Sequence, residues 1–65
     1  MLRIEQILKE QGLSQAKAAR LADVNETSMS RIVSGKEPAF PKRGQRIADA
    51  LGWKDDWQEL FEEVK

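Results

Sequence analysis

The 65-residue chain contains no cysteine and no histidine. Without cysteine there are no disulfides and no thiol chemistry; without either residue there is no zinc site of the Cys/His type, and the usual general base of an enzyme is missing. Ser14, Ser28, Ser30 and Ser34 therefore have no imidazole to activate them, and an enzyme is not expected. Long hydrophobic runs are absent too. The N-terminal stretch MLRIEQILKEQ interrupts its apolar residues with Arg3, Glu5, Gln6, Lys9 and Glu10, so it reads as neither a signal peptide nor a membrane span. With no export signal, the expected compartment is the cytoplasm. There are no internal repeats and no low-complexity runs.

Net charge is also lacking: 11 basic residues balance 11 acidic ones. By itself this argues against a nucleic-acid partner. The distribution reverses that argument. Residues 1–52 hold nine Lys/Arg against six Asp/Glu, whereas residues 53–65 hold two against five. Within residues 14–46 seven cations (Lys17, Arg20, Arg31, Lys36, Lys42, Arg43, Arg46) face three anions (Asp23, Glu26, Glu37). A bipolar molecule with one basic face suits DNA better than its total charge suggests.

A chain this short makes one domain, residues 1–65, and buries only about 60 % of the surface its unfolded form exposes. What is present is helical periodicity. Residues 2–11 place Ile4, Ile7 and Leu8 on one side of a helix that Gly12 would end. Arg3 in this helix reads as a solvated charge. A helix starting near Pro41 carries Ile47, Ala48 and Leu51 and ends at Gly52, although Gly44 sits in its first half. Before it lies a loop with two prolines, in which Phe40 is expected to be buried. The tail WKDDWQELFEEVK spaces Trp53, Trp57, Leu60, Phe61 and Val64 at helical intervals, predicting an acidic amphipathic helix over 54–64 with Asp55 and Asp56 in its first turn. Trp57 and Leu60 are expected in the core, leaving Phe61 and Val64 for a partner chain.

Residues 14–35, SQAKAARLADVNETSMSRIVSG, organise the rest. Ser14 suits an N-cap, and Ala18, Ala19 and Ala22 give the following helix a small-residue face that a second helix can cross closely. Asp23 tolerates a left-handed conformation, so the chain can turn there, with Val24 pointing inward and Asn25 capping the next helix. In that second helix Met29 and Ile32 face inward, while Glu26, Thr27, Ser28, Ser30, Arg31 and Ser34 face outward or lie at its edge. An outer face with so many hydrogen-bonding groups can read base edges.

Together Ser14-Gln15, Ala19, Val24, the polar run Asn25 to Ser28, Met29-Ser30, Ile32, Gly35-Lys36, Ile47-Ala48 and Ala50-Leu51-Gly52 resemble the lambda-repressor and Cro-like family of helix-turn-helix regulators, the XRE family. Three residues depart from the usual pattern: Asp23 stands where glycine is usual, Lys17 where glutamate is frequent, and Ala18 where a larger aliphatic is common. The resemblance implies an all-α bundle of five short helices with the helix-turn-helix at 14–35. It places Glu26, Thr27, Ser28, Ser30 and Arg31 where family members read bases. Gln15, Lys17, Asn25, Ser34, Lys36, Lys42 and Arg43 fall at or near backbone contacts. It also implies double-stranded DNA as partner in a bacterial or phage-infected nucleoid, a Cro-like repressor acting on a palindromic operator, and neither cofactor, metal, membrane nor small-molecule ligand.

Simpler roles stand beside these. Glu26 near a helix N-terminus favours the helix dipole, Arg31 can be solvated or paired, and Gln15 can be helix filler. Two reading helices on a two-fold axis would lie roughly 34 Å apart, so a homodimer is expected, with Phe40, Phe61 and Val64 as its contact residues. A different class of function, a protein-interaction module such as an antitoxin or adaptor engaging a partner through the acidic tail, fits the same fold.

Overall fold

The computed structural model describes residues 1–64. It contains four α-helices, α1 (Arg3–Gln11), α2 (Gln15–Ala22), α3 (Glu26–Ser34) and α4 (Pro41–Leu51), followed by a 3-10 helix at Trp57–Phe61. Among the described residues there is no strand, only one antiparallel bridge between Leu2 and Glu63.

The starts and stops follow from side-chain chemistry. Ser14 Oγ accepts from the Lys17 amide at 3.1 Å, and Asn25 Oδ1 accepts from the Thr27 and Ser28 amides at 2.8 and 3.3 Å. Each cap satisfies amides that a first helical turn leaves without a carbonyl. Pro41, which has no amide hydrogen, opens α4. Helices α1, α3 and α4 all close on a left-handed glycine.

The core is built from Ile4 and Leu8 of α1, three alanines of α2, Met29, Ile32 and Val33 of α3, Ile47, Ala48 and Leu51 of α4, and Leu60. Helix α2 packs on both α3 and α4, and the 3-10 helix packs on α1 and α4. The C-terminal ends of α1 and α4 are tied by Gln11 Nε2, which donates to the Leu51 carbonyl at 2.9 Å.

The tail departs from the expected helix over 54–64, and the bundle has four α-helices and a 3-10 turn in place of five helices. Two competing sets of hydrogen bonds explain why. At its start the Trp53 indole donates to the Asp56 carbonyl at 3.0 Å, and Asp56 Oδ1 accepts from the Gln58 amide at 3.0 Å, so the helical turn begins only at Trp57. At its end Glu62 is extended, its carbonyl accepting from the Arg3 amide at 2.9 Å, while the Val64 amide donates to the Met1 carbonyl at 2.9 Å. Backbone groups of 62–64 thus pair with the N-terminus and cannot continue a helix. Arg3 is correspondingly no solvated charge: its Nε donates to the Glu59 carbonyl at 3.1 Å.

Phe40 is not buried; it is 62 % exposed at the residue before α4. Leu60 is fully enclosed, and Trp57 and Phe61 pack against the core with their rings edge to face at 6.1 Å. Gly44 finds its reason here. A Cβ added to it would lie 2.2 Å from Trp57 Cε3, so the indole rests directly on the backbone of α4. The glycine weakens the helix and admits the aromatic ring.

Gly44→Ala should therefore lower stability by about 2 kcal/mol, the overpacking cost exceeding the gain in helix propensity. Urea unfolding followed by circular dichroism measures this, and a midpoint at or above wild type would contradict the packing account.

Candidate nucleic-acid interface

Helices α2 and α3 meet through residues no larger than the approach allows. Ala18, Ala19 and Ala22 are buried on α2 and Met29, Ile32 and Val33 on α3, and the two helices pack together. Asp23 adopts φ 56°, ψ 47°, the left-handed conformation in which an ordinary L residue is strained. The Val24 amide then donates back to the Ala19 carbonyl at 2.8 Å, which turns the chain within three residues into α3. Val24 itself is half-buried against the core.

The burial of α3 is confined to three side chains, so the remainder of its circumference is available. Glu26, Thr27, Ser30, Arg31 and Ser34 are exposed, and Ser28 is half-buried at the edge. Ser34 is already engaged, its Oγ donating to the Arg31 carbonyl at 3.1 Å. Asn25 is exposed and uses its carbonyl oxygen as the cap. Gln15 and Lys17 are exposed on the first turn of α2, and Lys36 is exposed in the turn after α3, where its amide donates to the Arg31 carbonyl at 2.9 Å. Lys42 is exposed in the first turn of α4.

The carboxylates of residues 14–46 are not evenly matched to the cations. Glu37 takes Arg43, Oε2 to Nη1 at 3.1 Å in a half-buried pair, and Asp23 lies 3.7 Å from Arg46 on the open surface. Two arginines of α4 thereby absorb two of the three acids. Lys17, Arg20, Arg31, Lys36 and Lys42 have no carboxylate within 4.0 Å among the described residues. Sequence patterning brings Arg43 to this region but gives no sign of its pairing with Glu37 across the proline loop. The spacing of six residues through Pro38 and Pro41 carries no helical register from which that contact could be read.

Two short packed helices joined by a tight left-handed turn, the second with a polar outer face, together define a helix-turn-helix. The family model of the Cro/C1-type helix-turn-helix matches residues 4–58. The chain belongs to that family. Its members are DNA-binding transcription regulators, and this chain is accordingly a regulator that binds double-stranded DNA. Neither a curated protein nor a solved structure matches it. No helix among the described residues is long and apolar enough to cross a membrane.

Because Asp23 occupies a left-handed position, Asp23→Gly should raise stability by about 1 kcal/mol. The lost Arg46 contact, a surface pair with a 95 % exposed carboxylate, offsets little of this. A lower urea midpoint with an unchanged slope would show that Asp23 supports the turn in some other way.

Proposed function

We propose that the chain is a Cro-like repressor that binds a palindromic operator as a two-fold dimer in the bacterial cytoplasm. The observation that carries this reading is the division of α3: Met29, Ile32 and Val33 are buried, and every polar side chain from Glu26 to Arg31 except Ser28 is exposed. A helix so divided can enter the major groove and present its N-terminal half to base edges without disturbing the core.

The roles follow from donor and acceptor geometry. Arg31 pairs bidentately with guanine O6 and N7. Thr27 offers a methyl group to thymine and a hydroxyl to an acceptor, Ser28 and Ser30 lie at the flanks, and Glu26 accepts from a cytosine amino group while repelling a misplaced phosphate. The side chains of Gln15 and Lys17 at the start of α2 grip one phosphate run, assisted by the positive end of the helix dipole. Lys36 and Lys42 hold the other, with Asn25 and Ser34 nearby. Such contacts position the chain and specify nothing, and their affinity falls steeply with salt. A second copy on the next turn of the duplex, roughly 34 Å away, supplies the missing affinity.

Selection of duplexes from a randomised library at about physiological salt should enrich a palindrome with half-sites one helical turn apart. Arg31→Ala should lose the preference for one guanine, at a cost of about 1–3 kcal/mol on the preferred site. A folded protein that enriches no motif would refute the reading and direct attention to the acidic residues of the tail as a protein-binding surface.

The Glu37 pairing bears on the same contacts. Arg43 is held by a carboxylate that a phosphate must displace. Glu37→Gln should strengthen non-specific DNA binding and steepen the dependence of log K on log salt by about 0.9, one additional phosphate contact per chain. An unchanged slope in a binding titration across salt concentrations would mean that Arg43 serves the loop alone.

A further inference from the structure

Between the loop that joins α3 to α4 and the tail lies a groove of about 400 Å³. None of the side chains proposed to meet DNA lines it. Leu2, Ala39, Trp57 and Phe61 do, each half-buried against the core and each keeping apolar surface that the rest of the described chain leaves uncovered. The volume lies at the small end of the range for ligand pockets, enough for a compact ring-bearing molecule. Its walls are fixed before anything binds. The Trp57 indole rests on the backbone of Gly44 and meets the Phe61 ring edge to face. Leu2 is bridged to Glu63, and a Cβ added to Gly35 at the start of the loop would stand 3.8 Å from Leu2 Cδ1. The loop is anchored by the Lys36 and Glu37 amides, which donate to the Arg31 carbonyl at 2.9 and 3.3 Å. A ligand therefore has little ordering of the protein to offset.

A single charged side chain borders this groove, the carboxylate of Glu37. Arg43 Nη1 donates to its Oε2 at 3.1 Å, and its Oε1 has no hydrogen-bond partner among the described residues. An ionised carboxylate accepts from several donors at once, so one oxygen serves the loop and the other is left for a further cation. The aromatic rings favour the same sign, because their faces attract positive charge. An anion would be repelled by Glu37. A divalent metal ion would want several oxygen donors together, whereas the described residues hold no group of three His, Cys, Asp or Glu side chains.

We propose that the groove binds a small organic amine with an apolar, ring-bearing body. The ring lies among Leu2, Ala39 and Trp57, and the ammonium donates to the unpartnered oxygen of Glu37. The resemblance to the helix-turn-helix family implies no such ligand. Nor does the sequence signal one, because the lining residues come from the first residues of the chain, the proline loop and the tail, which only the fold brings together. Binding of the amine is independent of DNA reading.

Titration of the isotope-labelled chain with phenethylamine, followed by NMR shifts of amides and indoles, tests this, with phenethyl alcohol and phenylacetate as the neutral and anionic counterparts. Phenethylamine should saturate with a dissociation constant of about 1 mM, moving the resonances of Gly35, Glu37, Ala39 and the Trp57 indole while Thr27 and Ser30 stay still. The alcohol should bind about fivefold more weakly, and phenylacetate more weakly again. Glu37→Gln, which keeps the shape and an oxygen for Arg43, should erase the difference between amine and alcohol. Ala39→Leu, which narrows the groove without touching its charge, should weaken both about tenfold. Circular dichroism checks that each variant is folded. Shifts that never saturate, an amine preference that survives Glu37→Gln, or binding indifferent to Ala39→Leu would overturn the proposal. So would groove resonances that move with protein concentration alone, since a second copy would then be the occupant. No readout involves DNA, so failure here leaves the operator reading standing, and failure of that reading leaves the groove.

Discussion

Close approach of backbones is the constraint on which the structure depends. Helices 8 to 11 residues long present little surface each, so they can form a core only if their axes come near one another. Where they do, the chain places methyl groups or hydrogen: Ala18, Ala19 and Ala22 on α2, Ala48 on α4, and Gly44 under Trp57. The larger side chains Ile4, Met29, Ile32, Ile47 and Leu60 then fill the space between, each almost wholly withdrawn from water. Larger residues on α2 would push α3 outward and with it its polar outer face, so the same small residues that pack the core also set the position of the helix proposed to read DNA.

How much of this could be read from the sequence depends on how local the cause is. Ser14 and Asn25 cap amides two or three residues ahead, and the closing glycines act within one turn, so the helix-turn-helix was legible residue by residue. The outward face of α3 was legible for the same reason. The tail was not. Its apolar spacing is helical, but the carbonyl of Glu62 finds the amide of Arg3, a partner 59 positions away that no local window includes. Gly44 is the intermediate case: a glycine inside a helix signals a close neighbour, yet only the fold identifies that neighbour as Trp57. Phe40 is apolar, which in a short proline loop predicts burial, yet it stands at the residue before Pro41 at the start of α4 with its ring in solvent.

Electrostatics show the same division between composition and arrangement. A net charge of zero conceals a basic surface because most of the acids lie elsewhere or are occupied. Five of them fall in the last 13 residues, and Glu37 and Asp23 are set against arginines of α4. Setting those two pairs aside leaves five cations against Glu26 alone in residues 14–46, the same net charge as seven against three but with no neighbouring carboxylate to mask it. The field that guides association arises from this local imbalance, which falls off within about 10 Å in salt and is hardly weakened by acids beyond that range.

Glu26 is the exception on this surface, and its position gives it two effects of opposite sign. In the first turn of α3 a carboxylate interacts favourably with the helix dipole, adding a few tenths of a kcal/mol to an exposed helix end. In the proposed complex, where it would face a groove walled by phosphates, the same charge would oppose every site that does not offer it a donor. The stabilisation acts in the free protein and the proposed repulsion would act on all sequences, so on this reading only a cytosine amino group, or its absence, would distinguish one duplex from another at this position. Stability and discrimination are thus carried by one side chain without conflict. Removing its charge would weaken the helix slightly and relax rejection of wrong sites, while leaving the three buried anchors of α3 untouched.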